Sequence, residues 1–294
     1  MKRRVVLHGS STLTVSLPSD WARKFNVEKG DELNLEEYGR ELRISTESTN
    51  FEQKQIDIEN LERVGKSYIT SSYRQGYDEI DFTYRDNDYL ETIQDLISRE
   101  ITGFEVVRSQ NNRCVIKDLT GHNRDEFDTA LRRAWLLILD LSNESLNVVK
   151  KEDSINLKNI KLIDYSINKF SNYCLRILIK KGRYDYKKTP PYYHFVKSLE
   201  EIADKYKELC VFHSNNLKKV GNNMIDLFVR TNSHLNSIYK LFYKYDNQKI
   251  EELFSETQET CDVASDSKDK IAFYLSSISR DIRNLLPLLI EINM

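Results

Sequence analysis

Six cations fall within the first 29 residues (Lys2, Arg3, Arg4, Arg23, Lys24 and Lys29) against two acids, Asp20 and Glu28. Guanidinium and ammonium groups suit phosphate oxygens, and arginine also suits guanine edges. From Gly30 to Asn60 the balance reverses to nine acidic residues against three basic ones. A concentrated basic end on a chain of net charge −2 suggests a local contact with a phosphate backbone, because clustered cations release counterions when they dock. On charge alone, a solvated charge cluster is an equally good reading.

Catalytic chemistry finds little support. His8, His122, His194, His213 and His234 make no motif with acids or a nucleophile, and no glycine-rich phosphate loop is present, so the chain is not expected to be an enzyme. Cys114, Cys174, Cys210 and Cys261 are far apart, with no CxxC pair, and read as buried small hydrophobes. His213 lies in an apolar stripe and reads as a hydrogen-bonded core histidine. No stretch approaches the roughly 18 uninterrupted apolar residues of a membrane span. The basic start Met1–Arg4 runs into polar His8-Gly9-Ser10-Ser11 and not into a leader core. A cytoplasmic protein without membrane insertion is expected.

These residues must be carried by a chain of 294 residues that is 39% hydrophobic, enough for two or three ordinary domains. Residues 1–48 read as a compact β unit. Leu13, Val15 and Leu17 alternate with Thr14 and Ser16, Ser19 or Asp20 caps a short helix Trp21–Phe25, and two further strands flank a turn at Gly39. So few residues bury too little surface alone, and the unit should gain its core by pairing with a second copy. Residues 49–120 read as a small α/β connector. A helical stripe runs through Ile58, Leu61, Val64, Tyr68 and Ile69, with a strand at Ile80–Tyr84, a helix at Tyr89–Glu100 and a hairpin around Asn111-Asn112.

Residues 121–294 are helical from about Arg124. Stripes run through Phe127–Leu141, Ile160–Ile177 and Leu199–Leu227, then one or two helices cover Leu235–Cys261, and the last spans Ile271–Leu289. Six helices with a break near Gly182–Pro191 predict two packed three-helix bundles sharing the long third stripe, with Pro190-Pro191 at a helix start.

The string His8-Gly9-Ser10-Ser11-Thr12-Leu13-Thr14-Val15-Ser16-Leu17-Pro18-Ser19-Asp20-Trp21-Ala22-Arg23-Lys24-Phe25, followed by Gly30-Asp31-Glu32-Leu33, resembles the swapped-hairpin domain of the AbrB/SpoVT/MazE family. That resemblance implies a homodimer in which two chains interlace hairpins into one β-barrel and present Arg3, Arg4, Arg23 and Lys24 to DNA. The helical part resembles PhoU, the regulator linked to the phosphate ABC transporter, through Leu199-Glu200-Glu201-Ile202-Ala203-Asp204. In that family such acids hold metal on the bundle surface. Glu200 and Asp204 are the implied pair, a turn apart, and Asp140, Glu144 and Asp164 on neighbouring helices are weaker candidates. The implied cofactor is a divalent or iron-type metal ion. The corresponding C-terminal stretch departs from the pattern, with Arg280 and Asn284 where acids would stand. The middle segment, with Tyr73-Arg74-Gln75-Gly76-Tyr77-Asp78-Glu79-Ile80 and Gly103-Phe104-Glu105-Val106, is similar to the connector of archaeal proteins that join these modules.

The predicted fold is therefore multidomain α+β: a swapped-hairpin barrel, a small α/β connector and an all-α PhoU-like pair of three-helix bundles. The first functional reading is a DNA-binding regulator of phosphate uptake. The alternatives are an adaptor that binds a phosphate-transporter ATPase or a regulatory kinase and uses the barrel only to dimerise, and an antitoxin-like protein.

Overall fold

The computed structural model describes all residues except 39–40, 47–50, 62, 121–125, 152–156, 184 and 217. The Gly39 turn, His122, Arg124, Leu217 and the junction of residues 48 and 49 lie outside the described residues. The chain divides into two compact units, Met1–Phe51 and Glu52–Met294.

In the first unit β1 (Val6–His8) pairs antiparallel with β2 (Thr12–Thr14), Leu7 opposite Leu13, around Gly9 at φ +69°. β2 stops at Thr14, short of the predicted Val15 and Leu17, because the strand beside it is only three residues long. α1 (Ser19–Lys24) starts earlier than expected: Pro18 takes the N-cap position at φ −62° and its carbonyl accepts from Ala22 N at 2.9 Å. Ser19 and Asp20 therefore lie inside the first turn. There the Asp20 charge complements the helix N-terminus. β3 (Leu33–Tyr38) and β4 (Glu41–Thr46) form a second antiparallel hairpin with Leu35 opposite Ile44. The two hairpins are separate two-stranded sheets, and one copy closes no barrel among the described residues.

The second unit begins with a four-stranded sheet of order β5-β6-β8-β7. β5 (Gln53–Asp57) runs parallel to β6 (Glu79–Thr83) through α2 (Gly65–Arg74), and α3 (Asn87–Glu100) leads to the hairpin β7 (Phe104–Gln110) and β8 (Arg113–Asp118). The hairpin turns on Asn111 and Asn112, both left-handed at φ 52° and 57°, a conformation asparagine tolerates well. Asp86 caps α3 by accepting from Tyr89 N at 2.9 Å. The expected helical stripe from Ile58 begins only at Gly65, because Ile58 is buried in the loop after β5 and Leu61 and Val64 form the turn into α2.

Six helices follow: α4 (Glu126–Lys151), α5 (Leu157–Lys181), α6 (Thr189–Asn215), α7 (Asn222–Tyr243), α8 (Asn247–Ser265) and α9 (Lys270–Asn293). α4, α5 and α6 pack against one another, as do α7, α8 and α9, and the two sets join where α6 meets α9 and α4 meets α7. Their apolar stripes form one core around Trp135, Phe195, Tyr206 and Phe228. The Leu199–Leu227 stripe is not one helix. It breaks after Asn215, and α7 starts behind Gly221, where Asn216 and Gly221 leave the helical conformation. Pro190 and Pro191 occupy the first turn of α6. All four cysteines are free and buried, and His213 is buried as well. No helix among the described residues is long and apolar enough to cross a membrane.

Candidate nucleic-acid interface

Arg3 and Arg4 precede β1 and are exposed, while Arg23 and Lys24 end α1. Arg23 Nη2 pairs with Asp20 Oδ1 at 2.6 Å, both side chains about four-fifths exposed at 79% and 83%. Lys24 Nζ lies 5.4 Å from the centre of the Phe25 ring. A pair this exposed contributes at most about 1 kcal/mol. A phosphate can therefore displace Asp20 at little cost. The turn after α1 is fixed by Asn26 at φ 51° and by Asp31, whose carboxylate accepts from Glu28 N at 2.7 Å.

The same unit has an unfilled core. None of its described residues is buried, and Leu7, Leu13 and Leu35 remain 60%, 70% and 60% exposed. Covering one such side chain fully is worth about 1.5–3 kcal/mol. Apolar strand residues left bare on two hairpins are what an interlaced second copy would cover.

Residues 6–51 match the model of the family described as antidote-toxin recognition MazE, bacterial antitoxin. No curated protein and no solved structure matches the chain. The MazE-like match coincides with the first compact unit and contains Arg23 and Lys24, while Arg3 and Arg4 lie just ahead of it. Domains of this type dimerise and bind DNA, so the match is consistent with a DNA-binding regulator or an antitoxin.

The acidic candidates lie in the other unit. Glu200 is buried, accepts from Arg74 Nη2 at 3.2 Å and also pairs with Lys197. Lys207 Nζ donates to Asp204 Oδ1 at 2.5 Å and to Asp164 Oδ2 at 2.9 Å, so an ammonium sits between two of the proposed ligands. Asp140 is exposed on α4, and Glu144 accepts from Asn147 at 3.5 Å. No group of three or more metal-ligating side chains is placed to hold an ion among the described residues. The donors thus do not fit a resident metal here: Lys207 already supplies the charge that Asp164 and Asp204 would share.

Sequence spacing missed Glu100, whose carboxyl is pushed up by burial and then by the charges of Asp164 and Glu200. Burial likewise raises Asp164, against the opposing effect of Lys207, and leaves its Oδ1 without a hydrogen-bond partner among the described residues. Burial alone would lower Lys207, but its hydrogen bonds to Asp204 and Asp164 outweigh that and raise it. Lys207→Met is therefore expected to cost about 1–3 kcal/mol. A folded-state carboxyl raised above its ordinary 3.8 makes the folded protein bind more protons, so stability falls as pH rises through that window. The variant's deficit should shrink toward acid pH, which chemical denaturation at several pH values would read.

Sequence reading also missed Arg176, a fully buried arginine on α5. Its guanidinium donates to Tyr73 O at 2.8 Å, Tyr77 O at 2.7 Å, Asp78 Oδ1 at 2.9 Å and Asp118 Oδ2 at 3.1 Å. It lies 5.0 Å from the ring centres of both Tyr73 and Phe104. Beside it Arg74 donates to Asn172 Oδ1 at 2.6 Å, and Asn172 Nδ2 to Glu100 O at 2.9 Å. This polar seam fixes the sheet and its helices onto α5 and α6.

Proposed function

We propose that the chain is a homodimeric, DNA-binding transcriptional regulator of phosphate uptake. Two first units interlace their hairpins and hold DNA on Arg3, Arg4, Arg23 and Lys24, while the helical part senses a partner or signal. The observation that carries this reading is the pairing of an unfilled apolar core with a cationic helix end in one small unit. The match of residues 6–51 to MazE supports it. The phosphate-uptake part rests on the resemblance of Leu199–Asp204 and of the module order, and the packing of α4–α6 and α7–α9 as two sets is compatible with it. Signal transfer would be a population shift: a partner that prefers one arrangement of the sensing part changes DNA affinity by that preference and no more.

Reversing Arg3, Arg4, Arg23 and Lys24 to glutamate is expected to abolish measurable DNA binding while sedimentation still reports a dimer. Milder single changes to alanine should each make the slope of log affinity against log salt shallower by about 0.9 for every phosphate that the variant no longer neutralises. DNA binding that survives the reversal would favour the adaptor reading. The antitoxin reading is kept because the matching family is described as one, and it requires a cognate toxin that co-purifies with the chain.

A further inference from the structure

A cleft of about 820 Å³ opens where α7 and α8 meet Arg132 of α4. It is lined by the cations Arg132, Lys240, Lys244 and Lys249, by the rings of Tyr239 and Tyr243, and on its α8 side by Glu252 and Glu256. Four cations against two carboxylates is a local excess of positive charge on a chain whose net charge is −2. Lys249 makes only a long contact of 4.0 Å with Asp246, and Arg132, Lys240 and Lys244 form no ion pair among the described residues. The C-terminal dipole of α7 accounts for Lys240 and Lys244 at its end, but not for Arg132 and Lys249 arriving from two other helices.

The two tyrosines stand one helical turn apart with ring centres 5.2 Å from each other at 68°. Tyr239 is held edge-on by the buried Trp135 at 5.7 Å, which fixes its ring. The Tyr243 side chain is half exposed, but partial desolvation of its hydroxyl, then the neighbouring Tyr239, pushes it up to about 12, so it remains a neutral donor beside Arg132.

We propose that this cleft binds a nucleotide, with its phosphates on Arg132, Lys240 and Lys244 and its base against Tyr239 and Tyr243. A volume of this size falls within the range of small-ligand sites. Inorganic phosphate would leave the aromatic wall unused. The walls are helices whose backbone groups are already paired, so they give an extended acidic peptide no strand edge to join. Carboxylates on the α8 side are suitable acceptors for ribose hydroxyls or base amino groups. This inference goes beyond the DNA-binding reading and stands without it.

Isothermal titration of the full chain, in the absence of DNA, with ADP and GDP as probes tests it. One site per chain with a Kd below about 100 µM is expected for at least one of them, with pyrophosphate and the matching nucleoside each at least tenfold weaker. Lys240→Ala with Lys244→Ala should weaken the nucleotide more than tenfold, as should Tyr243→Ala. These side chains are exposed, so circular dichroism should be unchanged. Quenching of Trp135 emission should follow the same isotherm. The proposal is overturned if neither nucleotide saturates up to about 5 mM, if pyrophosphate binds as well as ADP, if the double lysine variant binds normally, or if a polyglutamate peptide binds more tightly than either nucleotide.

Discussion

Arg176→Met is expected to lower the stability of the second unit by about 3–5 kcal/mol, the cost of stripping one partner from a buried, hydrogen-bonded charge pair. Methionine roughly restores the buried volume and none of the four hydrogen bonds. Asp118, whose side chain is 5% exposed, would lose its buried guanidinium partner, and the carbonyls of Tyr73 and Tyr77 would each lose one donor. At about 2–4 °C per kcal/mol for a unit of this size, the melting midpoint should fall by about 6–20 °C. Adding Asp118→Asn should recover part of the loss, since it removes a buried carboxylate that no longer faces a guanidinium. A midpoint within 2 °C of the parent's, about 0.5–1 kcal/mol at this size, would mean that the seam contributes little and that α5 holds the sheet by apolar contact alone.

Leu13→Lys is expected to act in the opposite way, leaving the isolated chain as it is and destroying the dimer. Leu13 is 70% exposed in one copy, and exposed substitutions of this kind usually change stability by less than about 0.5 kcal/mol. If a second copy covers that side chain, the variant must bury an ammonium where an isobutyl group sat. It would lose about 1.5–3 kcal/mol of burial twice over, together with the cost of desolvating two charges. Dimer dissociation should then rise at least a hundredfold, about 2.8 kcal/mol, and DNA binding should fall with it because one copy presents half the cations. Sedimentation velocity across a dilution series reads this directly. A variant that dimerises as well as the parent would place the self-contact elsewhere and remove the reason for the exposed hairpins.

Much of the fold was legible where apolar spacing is strong. The stripes of α4, α5 and α9 lie in the core as the sequence implies, with Phe127, Leu131, Ile167, Cys174, Ile278 and Ile282 all buried. β5 escaped notice because Gln53-Lys54-Gln55-Ile56-Asp57 holds a single apolar residue. An edge strand pairing with β6 needs only backbone groups and one half-covered face, so composition carries almost no trace of it. The break between α6 and α7 was hidden for a different reason: Val220 and Met224 continue the apolar rhythm across Asn216 and Gly221, and rhythm alone does not register a cap.

The sites divide along the same line. That Arg23 and Lys24 share one short helix was readable because the spacing is local. The setting of Glu200 was not, since Arg74 lies 126 residues away in sequence and Lys207 is shared with an acid on another helix. The spacing of Glu200 and Asp204 allowed for a cation. It did not reveal that lysine and arginine side chains would supply it. Arg176 reads as an ordinary polar position on an amphipathic helix until the sheet is laid on it, and the tyrosine-lined cleft draws its walls from helices more than a hundred residues apart.

DNA binding by the first unit is read by a salt titration of the full chain on the DNA upstream of its own coding sequence, with a scrambled duplex of equal length as control. Saturable binding well above the scrambled control, weakening steeply and log-linearly as salt rises, is the result expected of two interlaced first units docking their cations on phosphates. Equally weak binding to both duplexes would contradict it and leave the first unit as a dimerisation device.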